Sequence, residues 1–269
     1  MLILFIWKLD FHKRWLNVLR WVLLGFLGYM AYQIKPQAAI TFIAVVIVEG
    51  FRKNRALVFS VAGVLCAVLS VNLITASLHV DLDKEAAFGP AHFLMMGMNE
   101  STAGVYSFED VGFSSSFATR TERAKADLAR AGQRVKDMGF LGVCRHVARK
   151  LGYDYLDGTF AWGAEGYFFR EYVDEKIPHV SAFFRSFYYP EGEHYKFWST
   201  AVQIVWIILL CLSVIGLFFR PDPAIILSML GILAFCILFE TRARYLYLNV
   251  PVFIISASYG MKGLFIHED

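Results

Sequence analysis

Residues 56–74 read ALVFSVAGVLCAVLSVNLI, nineteen positions without one charged side chain. A stretch that long and that apolar matches the roughly 20 residues an α-helix needs to cross a bilayer, and it sets the frame for the rest of the chain. Working outward, five further apolar runs stand at Trp15–Ile34, Gln37–Val48, Trp198–Phe218, Pro223–Phe239 and Tyr245–Gly260. Arg20 lies near one end of the first, where its head can snorkel. Gln37–Val48 is short for a full span and reads as either a short or a re-entrant helix. Pro251 removes a backbone donor and predicts a kink in the last run. The predicted fold class is mainly α: a polytopic membrane helix bundle of about six transmembrane helices, with one large outer insert of mixed structure.

Composition agrees. Of 269 residues, 57% are hydrophobic and 16% aromatic, with a mean hydropathy of +0.50. Charged residues make up 18%, below the roughly one quarter usual in soluble domains. A net charge of +3 gives no footing for nucleic acid. Cys66, Cys144, Cys211 and Cys236 show no metal-ligand or disulfide-framework spacing, so no metal and no certain cofactor is expected.

Charge placement predicts topology. Lys8, Lys13, Arg14, Arg20, Arg52, Lys53, Arg55, Arg220 and Lys262 fall on one side of an alternating arrangement, and Lys35, Arg242 and Arg244 on the other. The richer side is assigned to the cytoplasm. The protein is then a multi-pass cell-membrane protein with residues 75–197 extracytoplasmic and the C-terminus cytoplasmic. Three parts follow: an N-terminal helix group at 1–74, the insert at 75–197, and a C-terminal three-helix group at 198–269. The opening MLILFIW has neither the basic start nor the cleavage site of a signal peptide. It reads like the tail of a helix, so the N-terminal group is expected to be truncated at its start; the alternative is an interfacial stub.

Within the insert, Ala86–Phe117 reads as irregular. Thr119–Leu151 reads as an amphipathic helix, with Ala124, Leu128, Val135, Met138, Leu141 and Val147 at helical spacing. Its other face is basic, and Gly139 and Gly142 are expected to break or bend it. The aromatic-rich remainder ends in FFRSFYYPEGEHYKFW, the belt that marks a membrane interface.

The most informative constellation is Glu240-Thr-Arg-Ala-Arg-Tyr245. Two arginines in a short outer turn run against the charge bias, and so does Lys35 before Pro36. Cations at headgroup depth need partners. Glu240 can hold one arginine, while Arg offers a bidentate fork and Lys a point charge to a phosphate. The alternative is that these cations snorkel to ordinary lipid headgroups. His92 and Asn99, in the short apolar stretch HFLMMGMN, are candidate phosphate or sugar contacts, or simply satisfied loop residues. Asp157, Trp162 and Glu165 pair carboxylates with an aromatic face, as sugar sites do, or form a polar turn on an aromatic core.

Four stretches, Ile34-Lys-Pro36, HFLMMGMN at 92–99, DGTFAWGAEGYF at 157–168 and FETRARYLYLNVP at 239–251, together resemble the C-terminal half of bacterial GT-C-type membrane glycosyltransferases. This is the class of protein O-mannosyltransferases and their Gram-positive relatives. The resemblance implies a polyprenyl-phosphate sugar as donor and a cell-surface glycan, lipid or protein as acceptor, with the bilayer as environment. Donor-phosphate binding then falls to Arg242, Arg244, Lys35 and His92, supported by Glu240, Tyr245 and Asn99. The catalytic carboxylate of the class stands in a first outer loop that nothing here matches. The catalytic residue is therefore expected outside this chain, in a missing N-terminal half or a partner subunit. Two rivals stay open: a polysaccharide polymerase or ligase with a diphosphate-linked donor, and a non-enzymatic membrane protein whose outer domain binds a partner.

Overall fold

A computed structural model describes residues 2–79, 83, 85–165 and 177–265. The chain is mainly helical: α1 (Leu2–Lys8), α2 (Arg14–Ile34), α3 (Ile40–Phe51), α4 (Val58–Ser77), α5 (Pro90–Gly97), α6 (Phe108–Ser115), α7 (Arg120–Tyr155), α8 (Trp162–Glu165), α9 (Pro178–Tyr188), α10 (Tyr195–Phe219), α11 (Pro223–Leu238), α12 (Arg244–Tyr247) and α13 (Val250–Phe265). No strand occurs among the described residues, so the described part of the insert is helical rather than mixed. Ala86–Phe117 is not irregular throughout. Pro90 pre-sets the first turn of α5, and the Ser107 hydroxyl accepts the N–H of Asp110 to cap α6.

Two helices are long and apolar enough to span a bilayer, Arg55–Ser77 and α10; Pro36–Phe51, α11 and α13 are shorter apolar helices. α2 has the length, at 21 residues, but Asn17, Arg20 and Gln33 dilute its apolar character. The expectation of about six spans is thus finer than helix length and composition support.

The helices group into two compact units. The first comprises Met1–Ala86, Ile215–Phe235 and Pro251–Asp269; the second, Ala87–Val214 and Cys236–Val250. In the first unit α2 and α4 lie backbone to backbone. A Cβ on Gly63 would collide with the Val22 carbonyl, and one on Gly25 with that of Ser60. Small residues at such a seam let helices approach where apolar burial alone gives no preference over lipid. Trp21, Leu24, Val45, Val48, Ile225 and Val252 fill the core around it. A polar knot pins α1: buried Glu49 accepts from Trp7 Nε1 at 3.1 Å, Arg52 at 2.9 Å and Asn54 at 2.6 Å, and Lys8 pairs with Asp222.

The second unit is organised by α7. A reciprocal capping box between Thr119 and Glu122 starts it. Gly139, at φ 61° and ψ 178°, bends it, whereas Gly142 stays within the helix. Of its apolar positions Ala124, Met138 and Val147 are half-buried, while Leu128, Val135 and Leu141 are exposed. Most of the basic face is exposed, including Arg120, Lys125, Lys136, Arg145 and Arg149. Buried on α7 are Arg123, Asp127, Ala131, His146, Lys150 and Asp154, which meet carboxylates and helix-end carbonyls of neighbouring segments.

Candidate functional site

The Glu240–Tyr245 turn lies in the second unit, at the end of α11. Its conformation follows from the pairing of its own charges. Arg242 Nε donates to Glu240 Oε1 at 2.9 Å, and the Tyr245 hydroxyl donates to Glu240 Oε2 at 2.7 Å. Glu240 is buried, yet both of its oxygens are satisfied. The Arg242 guanidinium lies over the Tyr106 ring, 5.7 Å from its centre. Arg244 is exposed and opens α12.

This turn is clamped to the loop at 97–106. Thr241 N–H donates to Gly104 O at 2.8 Å and its hydroxyl to Ala103 O at 2.9 Å. A Cβ at Gly97 would meet the Leu238 and Phe239 backbone, and Gly104, at φ +77°, packs under Thr241. Beneath both loops the Lys150 ammonium donates to Gly97 O, Ile237 O and Phe239 O at 2.8, 2.9 and 2.7 Å. These carbonyls close the C-terminal ends of α5 and α11, where partial negative charge collects. His146 Nε2 adds a contact to Gly97 O at 2.8 Å.

One helical turn beyond Lys150 stands Asp154, 1% exposed. Neither carboxylate oxygen has a partner at hydrogen-bond geometry; the groups it senses are the Cys236 thiol and the Arg242 backbone N–H. Burial, which outweighs these contacts and the nearby ammonium, pushes its pKa up to about 7. Burial likewise brings Lys150 down to about 8. No sequence motif flagged these two residues. The available signal was the spacing His146–Lys150–Asp154, a polar ladder of four-residue steps on one helix face.

His92 and Asn99 are in the same unit, on the inside. His92 Nδ1 contacts Ser114 Oγ at 2.7 Å, and that hydroxyl donates to Asp127 Oδ1 at 2.7 Å. The relay places the proton on Nδ1 as a donor to Ser114. The ring stacks on Phe88, and burial lowers its pKa, so it is neutral at pH 7. Asn99 donates to Asp110 Oδ2 at 2.9 Å and accepts from Ser101. Arg134 completes that group, reaching Asp110 Oδ1 at 2.6 Å. Neither residue presents itself at an open surface.

Lys35 belongs to the first unit, between α2 and the turn at Pro36–Ala39. Asp157 builds its own turn: Oδ1 accepts from Thr159 N–H and hydroxyl at 2.9 and 2.6 Å, and Oδ2 from Ala161 N–H at 2.7 Å. Trp162 Nε1 donates to Tyr188 O. The Glu165 side chain lies outside the described residues.

The sequence profile of a family described as conserved hypothetical integral membrane protein matches residues 1–264. The chain belongs to that family. No curated protein and no solved structure matches it. This integral membrane protein is therefore associated with the lipid bilayer, and its two span-length helices are consistent with a multi-pass arrangement. The family description names a location and no reaction, so function rests on the chemistry of the residues above.

Proposed function

We propose that this integral membrane protein is a membrane glycosyltransferase that takes a sugar from a polyprenyl-phosphate donor. The proposal includes about six spans, with residues 75–197 on the outer face. The observation that carries it is the Glu240–Arg242–Tyr245 turn. A buried carboxylate grips one edge of a guanidinium and fixes its orientation at the end of an apolar helix. An arginine so held is pre-organised to meet an anion at headgroup depth, since its planar fork loses little further freedom. Arg242 and Arg244 then steady the phosphate as it becomes the leaving group, an electrostatic contribution that grows where water is scarce. His92 and Asn99 shape the interior of the same unit. An acidic residue, supplied by a partner subunit, deprotonates the acceptor hydroxyl on a cell-surface glycan, lipid or protein.

The test is retention of undecaprenyl phosphate by the purified protein, followed by native mass spectrometry against bulk phospholipid. Arg242→Gln and Arg244→Gln are each expected to weaken retention about tenfold, the scale of one lost charge-assisted contact, with size-exclusion profiles unchanged. Equal retention by wild type and the double variant overturns the phosphate role of this turn.

A further inference from the structure

α9 reads PHVSAFFRSFY. Val180, Phe183, Phe184 and Phe187 recur at i, i+3, i+4 and i+7, which places them on one stripe. In a water-exposed domain that stripe would face the core. Here Val180, Phe183 and Phe184 are 48%, 60% and 50% exposed, and no residue of α9 is buried. Phe187 is half-buried, as are Ser181, Arg185 and Ser186, whereas Pro178, His179 and Ala182 are exposed. The helix leaves most of its apolar stripe open rather than packing it into a protein core.

Its position in the chain supplies the occupant. α10, one of the two span-length helices, begins at Tyr195, only a short turn beyond Tyr188. That turn is fixed rather than slack. His194 N–H donates to Ser186 O at 2.8 Å and Gly192 N–H to Tyr189 O at 2.8 Å. A Cβ at Gly192 would run into the Ser186 and Arg185 carbonyls. Aromatic rings tie the same corner: Tyr188 on Trp198 at 4.9 Å, Phe187 on His194 at 4.8 Å and Tyr195 on Trp198 at 5.7 Å. Tyr and Trp mark the membrane–water boundary. A helix locked to the mouth of a span by such a corner is held at the depth where that span leaves the bilayer.

We propose that α9 is an interfacial helix, with Val180, Phe183, Phe184 and Phe187 buried in the headgroup–acyl boundary of the leaflet that α10 enters. Helices of this kind sink their apolar face about 5–10 Å into that boundary. This inference does not depend on the glycosyltransferase reading.

The experiment is a nitroxide scan of positions 178–188, on a background with the four cysteines replaced by alanine. The full chain is reconstituted in phosphatidylethanolamine–phosphatidylglycerol vesicles. Collision with oxygen, which concentrates in lipid, is expected to exceed collision with a water-soluble nickel chelate at 180, 183, 184 and 187. The order is expected to reverse at His179 and Ala182, giving a period of about 3.6 residues. A chelate preference at every position would falsify the interfacial placement. Protection from both reagents at the stripe, with spin–spin broadening between chains, overturns it in favour of a second copy covering α9. Should the cysteine-free background fail to fold, a Phe183→Trp variant with native cysteines gives the same decision. Its added emission is expected to be quenched by acyl-brominated lipid and not by aqueous iodide; the opposite pattern overturns the proposal.

Discussion

Lys150 and Asp154 stand one turn apart on α7, both closed off from solvent, yet the ammonium bonds to the carbonyls of Gly97, Ile237 and Phe239 and not to the carboxylate. Lys150 acts as a shared cap for two helix ends, and Asp154 remains near it as a long-range electrostatic neighbour. The arrangement makes the second unit sensitive to the proton on Asp154.

The sign of that sensitivity follows from linkage. Asp154 holds its proton up to about pH 7 when folded, whereas an unfolded carboxyl releases it near 4. The native state therefore binds more protons between these values, and stability falls as pH rises through that window. Below pH 4 the group contributes nothing. Above 7 it opposes folding by up to about 4 kcal/mol, from a shift of roughly three pH units. Asp154→Asn is expected to unfold at the same temperature as wild type near pH 4 and at a higher one above pH 7. A scan of melting temperature against pH in detergent checks this; parallel curves would refute it.

Removing the cap has the opposite character. Lys150→Met leaves the Ile237 and Phe239 carbonyls without this donor and Gly97 O with His146 alone, each lost bond costing about 1–3 kcal/mol. The expected outcome is a loss of several kcal/mol, visible as a large drop in melting temperature. Loss of protease resistance should be concentrated in residues 87–165.

Asp110 is a buried carboxylate held directly by a cation, Arg134. Burial raises its pKa, but hydrogen bonds from Arg134 and Asn99 more than offset this and leave it below the ordinary carboxylate range. The stability it contributes is present above the unfolded value and is lost as pH falls through the folded one. Arg134→Met strands the charge and is expected to cost about 3–5 kcal/mol at neutral pH. The deficit should shrink on acidification, once Asp110 takes a proton, and melting curves at pH 7 and pH 4 test this.

The α2–α4 seam predicts a sharp contrast between two glycines. Gly63→Ala places a methyl group against the Val22 carbonyl, so the helices must separate. Gly50 has no atom near its absent Cβ, and Gly50→Ala is expected to be neutral or to stabilise α3 by up to about 1 kcal/mol. Equal melting temperatures for the two variants would argue against close α2–α4 packing.

Much of the secondary structure was legible because apolar runs and caps are local signals. The run at 56–74, the helix beginning after Thr119, the bend at Gly139 and the apolar run starting at Pro223 follow from residues acting on their own neighbourhood. The Glu240–Arg242 pair was legible for the same reason, with one residue, Thr241, between partners that meet at 2.9 Å. The interior of the second unit was not. Periodicity says that α7 has two faces, not which residues go inside: Leu128 and Leu141 are exposed while Lys150 and Asp154 are buried.

The sequence by itself determined the class, a helical chain whose apolar stretches fit a bilayer, because hydropathy and length are properties of the chain alone. Tertiary structure decided which charges are inside. Lys150 is a surface residue by composition, and it becomes a core residue only because α5 and α11 end beside it with carbonyls to satisfy. That is a long-range fact, since 53 and 89 positions separate Lys150 from Gly97 and Phe239. The free energy of closing two helix ends with one ammonium is present only when all three segments meet.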